Sequence, residues 1–225
     1  TGNATTSNYA YPMRCGGSYQ DVYLATNTSV HTLRDTRIVR GWITNTHGYD
    51  NNVHSVYALD EDGNLWAWGY NGYGQLGLND TTNRTQPTMI DTATYFNNSP
   101  VEAFWTSGTQ YASCYAVTQE GKFYTWGYNG YGQLGLGDAT NRSIPTEVTT
   151  VVFDGTDAGT ITKVVADEYG SYGRAAILTS KKRIYTTGYN SYSWNMSGML
   201  LNKIRGHRCL MDLAQAHLVR QKIFG

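Results

Sequence analysis

Apolar and polar positions alternate in short runs along the chain, and pairs of these runs flank tight turns. Residues 53–59 and 65–68 lie on either side of a turn that ends in Asp62-Gly63. An Asp-Gly turn between alternating runs predicts a β-hairpin, because glycine adopts positive φ without a clash at Cβ. Two further pairs of runs follow the same pattern: 115–117 with 122–126, and 175–178 with 183–187. The pattern therefore predicts an all-β protein.

Other short apolar runs predict additional strands, at 38–43, 101–105 and 161–166. Residues 22–25 and 30–33 predict a further, partial unit near the N-terminus. In that unit Arg34-Asp35 stands where the later units have a tryptophan-glycine pair.

A tryptophan-glycine segment follows each of the two best hairpins. The sequence WGYNGYGQLGL occupies residues 68–78 and recurs 58 residues later at 126–136. Self-similarity at a fixed period is the signature of a repeat architecture. A degenerate copy begins at Thr187-Gly188, with threonine in place of tryptophan. The repeat domain is predicted to span 14–200, in units of approximately 14–45, 46–100, 101–160 and 161–200.

The repeat resembles the regulator of chromosome condensation repeat, in which a glycine turn precedes Trp-Gly-x-Asn, Gly-Gln-Leu-Gly and a proline. The matching residues are Gly63, Trp68, Gly69, Asn71, Gly74, Gln75, Leu76, Gly77 and Pro87, then Gly121, Trp126, Gly127, Asn129, Gly132, Gln133, Leu134, Gly135, Gly137, Asp138 and Pro145. The resemblance implies β-propeller blades, each a four-stranded antiparallel unit. Two well-matched repeats, one degenerate repeat and one partial repeat predict a partial propeller of about three to four blades.

An incomplete propeller leaves a strand edge and an apolar face uncovered, which favours association. We therefore expect contact with other protein chains, either through self-association or through additional blades. The residues expected to pack between blades are Trp68, Trp126, Leu76 and Leu134.

Two terminal segments differ from the repeats. Residues 1–13 are polar and are predicted to form an arm or linker. Residues 201–225 place Leu210, Leu213, Leu218 and Ile223 on one possible helix face, with basic residues near the C-terminus, where cations favour the helix dipole. A short C-terminal helix is therefore predicted.

Composition limits the classes of partner and the location that we expect for the chain. Seventeen basic and seventeen acidic residues balance, only 15% of residues are charged, and no basic stripe is visible, so nucleic acid is not an expected partner. No run of about 18 apolar residues occurs, so no membrane contact is expected. The abundance of Tyr, Asn and Thr is typical of secreted, cell-surface or virion proteins, and we expect one of those locations.

Catalytic and cofactor chemistry finds no support in the sequence. The glycines of 69–74 do not have dinucleotide-loop spacing and no Lys-Ser or Lys-Thr pair follows. The acidic residues of 60–62 are explained by a hairpin turn rather than a calcium loop, and the cysteines at 15, 114 and 209 are too far apart for a zinc knuckle. We expect no enzymatic activity, no cofactor and no metal site.

The repeated loops carry the candidate binding residues. Tyrosine and asparagine combine an aromatic body or an amide with polar atoms, which suits recognition of protein or glycan. Stacking between blades is the alternative role for the same side chains. The candidates are Tyr70, Asn71, Tyr73, Tyr128, Asn129, Tyr131, Tyr189, Asn190 and Tyr192.

These observations predict a non-catalytic β-propeller module of a surface assembly. A phage tail or fibre component, or a bacterial surface adhesin, would use it to bind a cell-surface receptor or a glycan. The alternative implied by the resemblance is a guanine-nucleotide exchange factor or a chromatin-associated adaptor.

Overall fold

The computed structural model describes residues 36–44, 53–108, 110–149, 151, 153, 159–166, 173–189 and 207–209. Within these ranges the chain forms three antiparallel four-stranded sheets and one short helix. The all-β class and the four-stranded units predicted from the sequence are confirmed.

Each sheet is built from consecutive strands. The first sheet holds β1 (Ile38–Ile43), β2 (Ser55–Asp60), β3 (Leu65–Gly69) and β4 (Arg84–Ile90) in that order. The second holds β5 (Val101–Thr106), β6 (Ser113–Thr118), β7 (Phe123–Gly127) and β8 (Arg142–Glu147). The third holds β9 (Ile161–Ala166), β10 (Arg174–Thr179), β11 (Ile184–Gly188) and β12 (His207–Cys209). Helix α1 (Thr92–Tyr95) connects the first two sheets.

The predicted hairpins are present; glycine occupies the positive-φ position in the first two turns, and Lys182 occupies it in the third with φ +58°. Strands β2 and β3 pair in register from Ser55 opposite Gly69 to Leu59 opposite Leu65. Gly63, in the turn, has φ +80°, and a Cβ there would lie 2.5 Å from the Cβ of Pro100. Its carbonyl accepts from the Val101 N–H at 2.8 Å. The first hairpin turn therefore also fixes the start of the second sheet.

The fourth strands were not located by the sequence pattern. Strands β4 and β8 are mostly polar and each contains a proline, Pro87 or Pro145. Both are the last strands of their sheets, where proline is tolerated because one row of N–H groups has no strand to pair with. Helix α1 was also not predicted. It is a single turn that begins after Asp91, whose carboxylate accepts from the Ala93 N–H at 3.0 Å.

Two sequence-based boundaries change. Strand β1 pairs with β2, with Trp42 opposite Tyr57, so it belongs to the first sheet although the predicted division placed it in the unit 14–45. Strand β12 pairs with β11, so the described part of the predicted helical tail is a strand instead. Sheet pairing satisfies backbone groups there that a helix would have satisfied internally. The rest of that tail and the predicted arm lie outside the described residues.

The first and second sheets share one apolar core. Its largest fully buried side chains include Tyr57, Leu76, Phe104 and Trp126. The Trp126 indole N–H donates to the carbonyl oxygen of Gln75, in the loop of the preceding sheet, at 2.9 Å. The Tyr57 hydroxyl donates to the same oxygen, also at 2.9 Å. The expected packing of Trp126 and Leu76 between blades is therefore confirmed.

Close approach at this joint requires glycine. An ideal Cβ on Gly77, which has φ +72°, would lie 2.9 Å from the Trp126 indole nitrogen. The Gly-Gln-Leu-Gly segment therefore places a backbone carbonyl against the indole of the next sheet.

Trp68 is the counterpart of Trp126 in the first sheet. It is 5% exposed, and within the described part of the chain its indole nitrogen has no hydrogen-bond acceptor. It packs with Ala58 and Trp66 on the face of the first sheet that lies away from the second.

The joint between the second and third sheets uses a smaller side chain. Leu134 is buried there, as expected. Thr187 occupies the place of Trp126, and its hydroxyl donates to the Gln133 carbonyl at 2.6 Å. The Tyr115 hydroxyl donates to the same oxygen at 3.2 Å. The hydrogen bond between blades is thus retained without the indole. A small cavity remains between Leu134, Phe153 and Thr187, and the centre of a water molecule could occupy about 20 Å³ of it.

Replacing Trp126 by Phe is expected to lower the free energy of unfolding by about 1–3 kcal/mol, because it removes a buried hydrogen bond and part of the apolar contact. Chemical unfolding followed by far-ultraviolet circular dichroism measures the loss. Trp105→Phe is the control, since Trp105 is only half-buried and should cost under about 1 kcal/mol. Equal losses in the two variants would contradict a special role for Trp126.

Candidate functional site

The loops after β3 and β7 are held closed by a buried asparagine. The Oδ1 atom of Asn71 accepts from the Leu76 N–H at 2.9 Å. Its Nδ2 atom donates to the carbonyls of Asp80 at 2.9 Å and Thr82 at 3.2 Å. One amide thus connects the start, middle and end of the loop, and satisfies backbone groups that would otherwise be unpaired.

The second loop repeats this arrangement. Asn129 accepts from the Leu134 N–H at 3.0 Å and donates to the carbonyls of Asp138 at 3.1 Å and Thr140 at 3.0 Å. Both asparagines are 0% exposed. The prediction that Asn71 and Asn129 contact a partner is therefore wrong: their hydrogen-bonding capacity is used inside the loop.

An arginine clamps each loop beside the asparagine. The Arg84 guanidinium pairs with the Asp80 carboxylate, and Arg142 pairs with Asp138 in the same way. Hydrogen bonding to the arginine is the main cause that lowers the pKa of each of the two carboxyl groups. Each aspartate is therefore charged at neutral pH, and its charge is offset by the adjacent arginine.

A set of half-buried tyrosines lies on and beside these loops, and we call it the tyrosine stripe. Ring contacts join Tyr73 to Tyr70, Tyr111 and Tyr128, and a separate ring contact joins Tyr131 to Tyr189. The Tyr73 ring lies 5.2 Å from Tyr128, and Tyr131 lies 5.2 Å from Tyr189. In each contact, a tyrosine in the loop of one sheet packs on a tyrosine that directly follows the third strand of the next sheet. Tyr128 follows β7, and Tyr189 follows β11. The stripe therefore crosses both joints between sheets.

Glycines set the orientation of two stripe tyrosines. An ideal Cβ on Gly72 would lie 2.1 Å from the Tyr70 hydroxyl, and one on Gly130 would lie 2.2 Å from the Tyr128 hydroxyl. Each phenol therefore lies directly over the glycine two residues later. This explains why the loop reads Tyr-Asn-Gly in both copies.

The phenols of Tyr73 and Tyr128 are neutral under physiological conditions. Burial, followed by a hydrogen bond with Tyr111, raises the pKa of Tyr73 to about 12. Burial is also the main cause of a raised pKa for Tyr128. These two residues consequently present aromatic surface and O–H groups without a net charge.

Sequence reasoning found most of the stripe but missed Tyr111. That residue precedes β6 and contacts Tyr73 and Tyr128, each at 5.0 Å between ring centroids. It lies outside the repeated loop, and its counterpart one period earlier is Val53, so repeat identity gave no signal. The candidates Asn190 and Tyr192 lie outside the described residues.

The described residues give little support for a metal site, a reactive cysteine or a membrane-spanning helix. No group of three or more His, Cys, Asp or Glu side chains is placed to hold a metal ion there. The Asp60 carboxylate, from the acidic turn, accepts from the Asn64 N–H at 2.7 Å and the Trp66 indole at 3.0 Å. Burial raises the pKa of the Cys114 thiol to about 12, which makes it a poor nucleophile. None of the helices described is long and apolar enough to span a membrane.

Comparison with known proteins identifies the repeats. The family model of the regulator of chromosome condensation (RCC1) repeat matches residues 62–104 and 120–166. The chain is 30% identical over 135 residues to the ultraviolet-B receptor UVR8 of Arabidopsis thaliana, covering 60% of this chain and 27% of the receptor. It is also 30% identical over 184 residues to the probable E3 ubiquitin-protein ligase HERC4 of Homo sapiens, covering 76% of this chain and 16% of the ligase. The chain thus spans about a quarter of the receptor's length and less of the ligase's.

Solved structures agree on the fold. Prp20p of Saccharomyces cerevisiae, described together with its binding to Gsp1p and histones, matches 77% of this chain and 39% of its own with a TM-score of 0.54 at 18% identity. Yeast RCC1 (Prp20) bound to Kap60 matches 77% of this chain and 37% of its own with a TM-score of 0.56 at 17% identity. At these identities the likeness shows the fold alone, which is that of an RCC1-type propeller.

These comparisons overturn the predicted role and location. The relatives are RCC1-type regulators, not phage or adhesin components, so the predicted surface-assembly function is wrong. Ubiquitin ligases and a histone-binding protein act inside cells, so the predicted extracellular, cell-surface or virion location is wrong as well. Prp20p binds proteins, and a cell-surface receptor or glycan finds no support in these matches.

Acidification tests the arginine clamps. A carboxyl group whose pKa is lowered by folding stabilises the fold above its ordinary pKa of about 3.9, and this contribution is lost as the pH falls through the lowered value. We expect the free energy of unfolding to fall as the pH drops below about 4, and Arg84→Gln with Arg142→Gln to flatten this part of the profile. Urea unfolding across this pH range measures it.

The control for this experiment is Arg37→Gln. Arg37 pairs with Glu61 at 3.4 Å in a well-exposed ion pair, which contributes little to stability. The control variant should keep the wild-type pH profile. An unchanged profile in the double variant would show that the clamps do not couple folding to proton binding.

Proposed function

Because residues 62–104 and 120–166 are RCC1 repeats in a β-propeller fold, we propose that this chain is a non-catalytic protein-binding module of an intracellular RCC1-type regulator. Its binding surface is the tyrosine stripe. The observation that carries the proposal is that a tyrosine ring contact crosses each of the two joints between sheets, on loops that are closed by buried asparagines.

The stripe suits binding because it is already ordered. Each tyrosine has two side-chain torsions, and ring contacts to its neighbours restrict them before any partner arrives. Immobilising a flexible side chain at an interface costs about 0.5–1.5 kcal/mol, so ordered rings lose less on association. Tyrosine also contributes both apolar area and a hydroxyl, which is why it is enriched at protein interfaces.

The absence of catalysis is part of this proposal. Among the described groups, the pKa values of Tyr57, Cys114 and Tyr115 are strongly raised, with burial as the first cause. All three lie in the cores between sheets. They are protonated and inaccessible, so they suit packing rather than proton transfer or nucleophilic attack.

Nucleotide exchange on a small GTPase, or docking to chromatin, is a second candidate. The likeness to Prp20p, which binds Gsp1p and histones, favours it. Release of labelled GDP from purified Gsp1p, with and without this chain, tests the exchange activity. Faster release would assign that activity to the chain, and an unchanged rate would restrict its role to binding.

Site-directed photocrosslinking tests the stripe as a binding surface. Benzoylphenylalanine at position 73 should give an adduct of discrete mass in an extract of the cells that make this chain. The adduct should disappear when Tyr131→Ala is added, because the neighbouring part of the stripe is then lost. Mass spectrometry of the adduct identifies the partner.

Position 95 is the matched control. Tyr95 is a half-buried tyrosine on α1 and has no ring contact with the described stripe residues. The probe there should give no such adduct. The same adduct from both positions, or its persistence in the Tyr131→Ala background, would contradict the proposal. Thermal melting confirms that each variant is folded.

A further inference from the structure

The hydroxyls of Tyr70 and Tyr128 determine what kind of partner the stripe accepts. Each phenol lies over a glycine, and within the described part of the chain neither hydroxyl makes a hydrogen bond. The pKa of Tyr128 is raised by burial, so its proton is retained at neutral pH. A phenol hydroxyl is an O–H donor, which suits the carbonyl oxygens of a partner.

The pairing of opposite charges on these loops disfavours a strongly charged partner. The carboxylates in the same loops, Asp80 and Asp138, are paired with Arg84 and Arg142. A basic or acidic peptide would find no uncompensated charge of opposite sign on these loops, and would lose hydration on approaching the rings. The surface therefore favours an uncharged ligand.

Ring spacing excludes an aromatic cage. The centroids of Tyr73, Tyr111 and Tyr128 lie 5.0–5.2 Å from one another, with interplanar angles of 40–71°. A caged cation lies up to about 6 Å from each ring centroid, and rings in mutual contact leave no space for it between them. A ligand must instead lie across the ring cluster.

The backbone conformation of the ligand follows from hydrogen-bond matching. An α-helix uses its carbonyls internally, and an added β-strand needs an unpaired strand edge, whereas the stripe offers side chains. A polyproline II segment has no internal hydrogen bonds, so its carbonyls point outward, and its prolines lack N–H groups that the stripe would have to satisfy. Proline rings also pack on aromatic faces.

We propose that the tyrosine stripe binds a proline-rich segment in the polyproline II conformation, with the Tyr70 and Tyr128 hydroxyls donating to its carbonyls. This inference rests on the proposed protein-binding function and specifies the chemistry of the partner.

Fluorescence anisotropy of labelled decaproline with the whole chain tests the proposal. Decaproline should bind saturably, and a labelled peptide of alternating glycine and serine of the same length should not. Tyr70→Phe and Tyr128→Phe keep the rings but remove the donors. Each should weaken decaproline binding about twofold to tenfold, the range expected for one hydrogen bond.

Tyr95→Phe is the control, because it removes the same group from a tyrosine outside the stripe, and it should leave the affinity unchanged. Equal affinity for the two peptides, no binding of decaproline, or equal weakening by all three substitutions would overturn the proposal. Retention of the wild-type melting temperature shows that the loss is not unfolding.

A competition experiment distinguishes the polyproline proposal from the broader proposal that the stripe binds a protein. Decaproline that displaces the adduct formed at position 73 supports both. An adduct that persists at saturating decaproline overturns the polyproline proposal and assigns the surface to a folded partner, while the binding function stands. The absence of any stripe-dependent adduct, together with specific decaproline binding, would overturn the cellular function but keep the binding site.

Discussion

One backbone carbonyl, that of Gln75, joins the first sheet to the second. It accepts from Tyr57 within its own repeat and from Trp126 in the next. The Trp126 donor is fully buried, so losing this acceptor would leave its N–H unsatisfied in an apolar core, at a cost of about 1–3 kcal/mol. The carbonyl reaches the indole only because Gly77 has no side chain. The Gly-Gln-Leu-Gly motif therefore presents one backbone carbonyl as a hydrogen-bond acceptor to the neighbouring sheet.

The tyrosine stripe is a by-product of the same loop. The Gly-Gln-Leu-Gly segment has to reach the next sheet, and Asn71 holds the loop in the shape that allows this. The residues on either side of that asparagine then lie at the surface, at the same place in each repeat. Tyr73 consequently meets Tyr128, and Tyr131 meets Tyr189, without any further device. Buried residues that close the loop and half-buried tyrosines therefore follow one another along the same loop.

The sequence predicted the features that depend on local chemistry. Alternating runs located the three hairpins, and glycine turns at Gly63 and Gly121 supported the first two, because turn glycines and pleat periodicity are local properties. Strand β4 was not predicted, since it is polar, contains Pro87 and forms only through pairing with β3. Asn71 was misassigned because an amide suits recognition and loop closure equally, and only burial separates the two roles. Location was misjudged for a related reason: Tyr57, Asn129 and Thr187 are hydroxyl and amide residues used inside the fold, so their abundance does not report on the surrounding medium.

The third sheet is attached by threonine where the second is attached by tryptophan. In repeat proteins, stability is approximately a sum of terms for each repeat and for each interface between neighbours. We expect the smaller contact at Thr187 to give a weaker interface term, and so to divide the described sheets into two cooperative segments of unequal stability. The first two sheets would then exchange their amide hydrogens as one segment, while the third opens at lower free energy. Such an array would come apart first at its degenerate repeat.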